Sequence, residues 1–246
     1  MPGLFRRVTR GAIALAVAVV ASEAQAATWS GWYAGIHGDY AFGRPQIDLN
    51  HTDLTAPGAN FNLATVAPEI SFTWKGWMGG GQIGHNWHSG ANLVLGFELG
   101  ASAGKIGGSK TVITNVPGYA QFTNSVASKT DYVATLRLRG GLLLHPNFLV
   151  YATAGGAGGR VRHTRETTFG GTIGPAGWAA QTRFGLALGG GAEVAIGSQA
   201  RLRAEYLHID LADSNFATVY PSSGARIAAT ARNTLDLLTA GLSFAY

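Results

Sequence analysis

Seven charged side chains stand where extended chain would turn them to one side: Asp39, Glu98, Arg137, Arg139, Glu193, Arg203 and Glu205. Arg137 and Arg139 are two positions apart, as are Arg203 and Glu205, and residues at that spacing share a strand face. Acids and guanidinium groups gathered inside a narrow cylinder must pair to be tolerated there. Two chemistries are open to such a set. It lines a gate or selectivity filter, or it locks together as a structural plug. An eight-stranded cylinder is just wide enough to be filled by its own side chains, which favours the plug.

Other constellations carry less. Gly79-x-Gly81-x-x-Gly84 has the spacing of a dinucleotide fingerprint. The chain continues as His85-Asn-Trp-His-Ser-Gly into a turn, where the fingerprint requires a helix. His85 and His88 differ by an odd number of positions, so a strand points them to opposite faces and they cannot share a metal. There is no cysteine, which removes thiolate metal sites and disulfides alike. His208 and Asp210 share a face with Ser214 just beyond, the nearest approach to a Ser, His and acid set, and nothing else supports a triad. No catalytic residue, cofactor or metal is expected.

The elements that would position the charges are strands. In the closing segment Leu238, Ala240, Leu242, Phe244 and Tyr246 share one face, and Leu237, Thr239, Gly241, Ser243 and Ala245 the other. One side is apolar, the other mostly small or polar, and the sequence ends on an aromatic residue. That pattern suits lipid outside and a crowded polar lumen within. Similar alternation marks seven earlier segments, near 32–42, 77–88, 93–103, 131–144, 148–162, 183–196 and 200–211. Outward sets include Trp32, Ala34, Ile36, Tyr40 and Phe42; Ile83, His85 and Trp87; Leu136, Leu138 and Leu142; Val150, Ala152 and Ala154; Phe184, Leu186 and Leu188; and Leu202, Ala204 and Tyr206. Tyr33, His37 and Asp39 turn inward on the first.

Connections alternate long and short. Ser89-Gly-Ala, His145-Pro-Asn and Gly197-Ser-Gln are tight turns. Polar segments of the first connection, with Pro45, Pro57 and Pro68, and of 107–128, 165–181 and 212–233 read as long loops. Short turns on one rim and long loops on the other belong to an all-β, eight-stranded antiparallel up-and-down transmembrane β-barrel. Backbone groups in lipid must all be paired, so the ring must close, with 32–42 beside 237–246. A soluble eight-stranded barrel of the lipocalin kind, apolar within and polar without, is the alternative; the terminal aromatic and the inward Arg and Glu favour lipid outside. Trp32, Trp87 and Tyr246 lie at the turn ends of their strands, where amphipathic rings form a membrane-interface girdle. Tyr40, Phe42, Tyr132 and Tyr206 are candidates for the opposite girdle.

The first residues read as a cleavable signal peptide, 1–26, leaving a barrel domain over 27–246. Arg6, Arg7 and Arg10 precede an apolar run over 12–21, and Ala24-Gln-Ala fits a cleavage site. The formal net charge of +5 loses two with that leader, which carries three arginines and one glutamate. The remainder is too mild for nucleic acid. The 36 glycines of the full sequence show no three-residue period, which excludes collagen, and suit tightly curved strands.

Trp29-Ser-Gly-Trp-Tyr-Ala-Gly-Ile-His-Gly resembles the mature start of the small outer-membrane porin/surface-antigen family of Gram-negative bacteria, an OmpA-like barrel class. Gly81-Gln-Ile-Gly-His-Asn-Trp, Leu136-Arg-Leu-Arg-Gly, Gly189-Gly-Gly-Ala-Glu and Arg203-Ala-Glu-Tyr resemble its second, fourth, sixth and seventh strands. His85 departs from the pattern, since the family often carries Tyr there. The resemblance covers essentially the whole mature chain. It implies an integral outer-membrane protein of structural, antigenic or weakly pore-forming character, inserted after export through the periplasm, and no catalytic residue. Outer-membrane lipid and the barrel-assembly machinery, acting through the C-terminal strand, are the expected partners, and basic side chains in the outer loops are expected to meet lipopolysaccharide phosphates as a diffuse preference rather than a site. Phe61, Tyr119, Phe122, Phe169, Trp178, Phe216 and Tyr220 in the long connections leave a second class open, an adhesin touching a host or phage surface partner. A lipid-modifying enzyme is the third.

Overall fold

Large apolar residues alternate with small or polar ones along eight stretches, and each becomes an antiparallel strand in the computed structural model. The structure describes residues 28–44, 46–50, 69–90, 92–114, 121–169, 172–219 and 226–246. The strands are β1 (Gly31–Gly43), β2 (Gln46–Asn50), β3 (Glu69–Ser71), β4 (Trp74–Ser89), β5 (Leu93–Thr114), β6 (Phe122–His145), β7 (Phe148–Phe169), β8 (Thr172–Ile196), β9 (Ala200–Val219) and β10 (Arg226–Ala245). The signal-peptide residues lie outside the described residues.

Neighbours pair in the order β1-β4-β5-β6-β7-β8-β9-β10, and β10 returns to β1, so the sheet closes. The closing register runs from Tyr33↔Ala245 to Phe42↔Asp236, which is the pairing that alternation requires. Short β2 carries the line of β1 upward along β10, and β3 does the same for β4, pairing Gln46↔Ser71. The wall therefore has eight staves, two of them interrupted. Tyr246 N–H also donates to the Trp32 carbonyl at 3.0 Å, tying the two ends of the described chain together.

Tight turns join strands at one rim. Gly197 sits at φ +76° and Gly90 at φ +67°, left-handed backbone that favours glycine. At the opposite rim three of the long connections differ from the sequence expectation. β5 and β6 pair as far as Thr114↔Phe122, β7 and β8 to Phe169↔Thr172, and β9 and β10 to Val219↔Arg226. Most of 107–128, 165–181 and 212–233 is thus paired ribbon. The reason is physical: Thr, Val and Ile sustain strands well, and beyond the apolar layer an outward face need not be greasy, so the amphipathic signal vanishes while pairing continues. Phe122, Phe169, Trp178 and Phe216 stand on these strands; Phe61, Tyr119 and Tyr220 lie outside the described residues.

Bulges re-phase the wall at that height. The β5–β6 register shifts between Ala103 and Ile106, β6–β7 between Thr130 and Val133, and β9–β10 between Ala231 and Asn233. Inward positions on β6 are consequently odd below the bulge (Val133, Thr135, Arg137, Arg139) and even above it (Asn124, Val126, Ser128, Thr130).

The outer face is apolar through the middle of the wall, with Leu136, Leu138, Leu142, Phe184, Leu186, Leu188, Leu238 and Phe244 all exposed. On β4 the outward Trp77 and Trp87, 72% and 52% exposed, bracket ten positions, the length a tilted strand needs to cross the apolar layer. Val150, Ala152 and Ala154 face outward, as do Tyr132 and Tyr206.

Candidate functional site

The barrel interior is layered, and the layers follow from which inward positions of neighbouring strands come level. At the tight-turn end, Trp29, Val94, Leu143, Leu149, Tyr151 and Ala195 form an apolar floor. Trp29 Nε1 donates to the Pro146 carbonyl at 2.8 Å, and the Arg201 guanidinium lies 4.8 Å from the Trp29 ring centroid.

Above it stands the ionic layer. Register sets Glu98 on β5 opposite Arg137 on β6, and Glu193 on β8 opposite Arg203 on β9. The side chains then reach beyond their neighbours. Arg203 Nη1 crosses the lumen to Glu98 Oε2 at 2.7 Å, while Arg137 donates to both Glu98 and Glu205. Arg203 donates to Glu205 as well, closing an alternating ring of two carboxylates and two guanidinium groups. Arg139 donates to Glu193 at 2.9 Å and lies 3.7 Å from Glu98. Three positive and three negative charges therefore balance in one buried layer, each side chain 6% exposed or less.

Two tyrosines complete it. Tyr33 donates to Glu98 at 2.7 Å and accepts from Arg139 at 3.0 Å. Tyr151 donates to Glu205 at 2.6 Å, accepts from Arg203 at 3.2 Å, and lies under the Arg139 guanidinium at 4.1 Å. Charge-assisted bonds of this kind satisfy most of the polar atoms that burial would otherwise penalise. A side chain at inward Gly84 would meet Tyr33 Oη at 2.5 Å, so glycine there leaves the ring its place.

Asp39 stands apart from that layer. It accepts from Thr239 at 2.7 Å and faces His37 at 3.5 Å, and His37 in turn meets Gln82 and Ser102. A cavity of about 20 Å³ lies between this group and the ring, bordered by Asp39, Ser102, Thr135, Arg203 and Thr239. That is room for about one water.

A second apolar layer follows, and here the expectation of a uniformly polar lumen is corrected. Trp74, Met78, Ile106, Val133, Val161, Leu207, Ile209, Leu211, Leu235 and Leu237 are packed together inside the barrel. Trp74 is only 1% exposed. Beyond lies a polar upper layer. Ser128 Oγ meets His163 Nδ1 at 2.6 Å, Arg165 donates to Asn124 at 3.1 Å, and Asn233 donates to Ser214 at 3.0 Å. Burial drives the His163 imidazolium pKa down to about 4, an Asn233 hydrogen bond opposes the shift, and Arg183 reinforces it.

On the outer surface Trp32 makes edge contacts with His85 at 5.1 Å and Phe97 at 5.7 Å, and Trp87 lies 4.6 Å from His85. Tyr246 is exposed at the same rim. His85 therefore sits inside an aromatic cluster. At the other rim Tyr40 meets Trp77 at 5.0 Å. The loose set His208, Asp210 and Ser214 does not converge: Asp210 faces out, His208 bonds Asp236 at 2.7 Å, and Ser214 is buried inside. Among the described residues no group of His, Asp and Glu could hold a metal.

Sequence reasoning missed Trp74, Tyr151 and Arg201. The first lies just before the expected start of its strand, and the other two carry no partner signal within their own segments.

A closed ring of tilted strands, greasy outside and filled within, is the architecture of an integral outer-membrane β-barrel. Residues 12–244 match the outer membrane protein beta-barrel domain family, and the chain belongs to it. Its relatives include the 31 kDa outer-membrane immunogenic proteins of Brucella melitensis biotype 1 and Brucella suis biovar 1. Each is 29% identical over 214 residues, covering 84% of this chain and 84% of the relative. Among solved structures it is similar to the outer membrane protein OprG from Pseudomonas aeruginosa, with TM-score 0.49 and 14% identity over 88% of this chain and 97% of that one.

Proposed function

We propose that the protein is a closed membrane scaffold with a structural and surface-antigen role, displaying its ribbon crown outside the cell. The observation that carries this reading is the occupied lumen: among the described residues, a balanced ionic ring lies between two apolar layers that fill the interior. The name of the Brucella relatives supports the antigenic part. Weak porin activity would then require the ring and the Trp74 layer to rearrange together. The chain acts without catalysis in this reading, since His208, Asp210 and Ser214 are split between the two faces of the wall.

Supporting roles follow from position. The leader over 1–26 directs export. The β10 strand, with Phe244 on it and Tyr246 just beyond, engages the assembly machinery, and Trp32, Trp87 and Tyr246 anchor the periplasmic rim in lipid. An adhesive role is the second reading, favoured by Trp178, which is 81% exposed on the ribbon of β8.

Planar-bilayer recording of the refolded mature protein tests the first reading. A quiet membrane, with vesicles that swell in small sugars no faster than protein-free ones, is the expected result. A steady open channel overturns it. Antibody raised against the ribbon of β7 and β8 should label intact cells.

A further inference from the structure

The outer surface carries an asymmetry of charge just above the upper aromatic residues. Lys75 is the next outward position beyond Trp77 on β4, and Lys105 on β5 is the register partner of Trp77. Lys129 lies above Tyr132 across the β6 bulge, and Arg160 and Arg162 stand outward on β7. Lys75, Gly107, Lys129 and Arg162 fall on one pairing row across four consecutive strands. Gly107 leaves a notch in that row between two lysines. All five cations are exposed. Arg162 pairs with the half-exposed Asp131 at 2.8 Å. Among the described residues, Lys75, Lys105, Lys129 and Arg160 have no carboxylate partner within 4.0 Å. The opposite sector, β9 and β10, instead presents three acids, Asp210, Asp213 and Asp236, against one exposed cation among the described residues, Arg232.

We propose that Lys75, Lys105, Lys129, Arg160 and Arg162 form a docking row for the phosphorylated sugar headgroup of lipopolysaccharide in the outer leaflet. This deepens the partner expected from an outer-membrane barrel and rests on the long ribbons pointing outward from the cell. Three arguments converge. The apolar face directly below the row accepts acyl chains, and Trp77 and Tyr132 mark the headgroup level. Unpaired Lys and Arg at that level attract phosphate through charge-assisted hydrogen bonds, Arg in a forked geometry. The width also fits: three strand spacings span about 14 Å, the scale of a disaccharide phosphorylated at both ends. Acids on β9 and β10 repel the same headgroup, so the lipid seats on one side of the wall.

The test uses the mature protein refolded into phosphatidylcholine nanodiscs, titrated with bisphosphorylated lipid A, dephosphorylated lipid A or phosphatidylglycerol. Wild type should retain bisphosphorylated lipid A best, with binding that weakens as salt rises. K75Q/K105Q/K129Q/R160Q should weaken it on the order of a thousandfold, while R232Q on the β10 side leaves it unchanged. Single K75E, with correct folding read from heat-modifiable gel mobility, covers the case in which the quadruple variant does not fold. Equal retention by wild type and K75E, or phosphatidylglycerol held as tightly as lipid A, overturns the proposal. Either outcome leaves the closed-lumen reading, which conductance measures, untouched.

Discussion

Glu98 and Arg203 meet at 2.7 Å although 105 residues separate them, and they come from strands on opposite sides of the ring. One ion pair thus spans the lumen and fixes the barrel's cross-section as well as its charge balance. Removing the carboxylate leaves Arg137 and Arg203 to share Glu205 alone, with an uncompensated positive charge in a buried layer. Glu98→Ala should cost about 3–5 kcal/mol, read as a lower urea midpoint in detergent and loss of the heat-modifiable gel shift at a lower temperature. Glu98→Gln, which keeps the shape and some of the hydrogen bonds, should cost less. An unchanged midpoint for Glu98→Ala would show that the ring is not holding the wall together.

Sealing is shared between the ring and the apolar layers above and below it. Glu98→Ala alone should therefore stay quiet in planar bilayers, because Trp74, Ile106 and Leu211 still exclude water. Trp74→Ala alone should lower stability by about 3–5 kcal/mol through the cavity it leaves, again without steady current. Only when the floor is cut as well, in Trp29→Ala/Trp74→Ala/Glu98→Ala, should the barrel conduct. Large current from either single variant would mean that only one layer closes the path.

How much of this was legible in the sequence depends on where each residue sits. Leu136-Arg-Leu-Arg reads directly, since lipid demands apolar residues at every second position and the alternate positions are free to carry charge. The ribbon around Ser128 and His163 does not, because water bathes its outer face and the alternation loses its greasy half. Bulges near Ala103, Thr130 and Ala231 add a phase slip that a fixed period cannot follow. Trp74 and Ile209 escape for another reason: an apolar residue inside the barrel looks the same in sequence as one outside. Partnership is the least legible. Arg203 and Glu98 are neighbours only because the ring closes.

His163 offers a pH signature outside the apolar layer. In the unfolded chain its imidazole titrates at the ordinary 6.5, and burial beside Ser128 lowers that to about 4 in the fold. Between those values the unfolded chain takes up a proton that the folded one refuses. Stability of the β6–β7 ribbon should thus fall as pH drops from about 6.5 towards 4, and level off below. Hydrogen exchange of 122–169 at pH 7 and pH 5 measures it. His163→Gln, which keeps a hydrogen-bonding group without a titrating one, should remove this component.

Trp77 and Trp87 give a ruler for the apolar layer. If each sits at a headgroup boundary, lipids brominated near the carbonyl should quench both more strongly than lipids brominated at the chain ends. The contribution of each is the difference between wild type and the Phe variant, Trp77→Phe or Trp87→Phe. Stronger quenching of Trp77 from the bilayer centre would move the upper boundary to the His163 ribbon and place the Lys75 row inside the membrane.

Closure itself can be trapped. The chain has no cysteine, so an introduced pair is the only source of a disulfide. Ala34 and Phe244 are register partners across β1 and β10, on the outer face. Ala34→Cys/Phe244→Cys, oxidised after refolding, should cross-link in high yield and remain barrel-shaped on heating, because the two ends of the sheet can no longer separate. Ala34→Cys/Leu242→Cys shifts one partner by two positions along the same face. Its cysteines lie farther apart than the roughly 5.5 Å that a disulfide spans between Cα atoms, so it should stay reduced under the same oxidant. Equal yields from the two pairs would mean that β1 and β10 slide past each other, and an ionic ring that depends on Tyr33 meeting Glu98 could not then hold a single register.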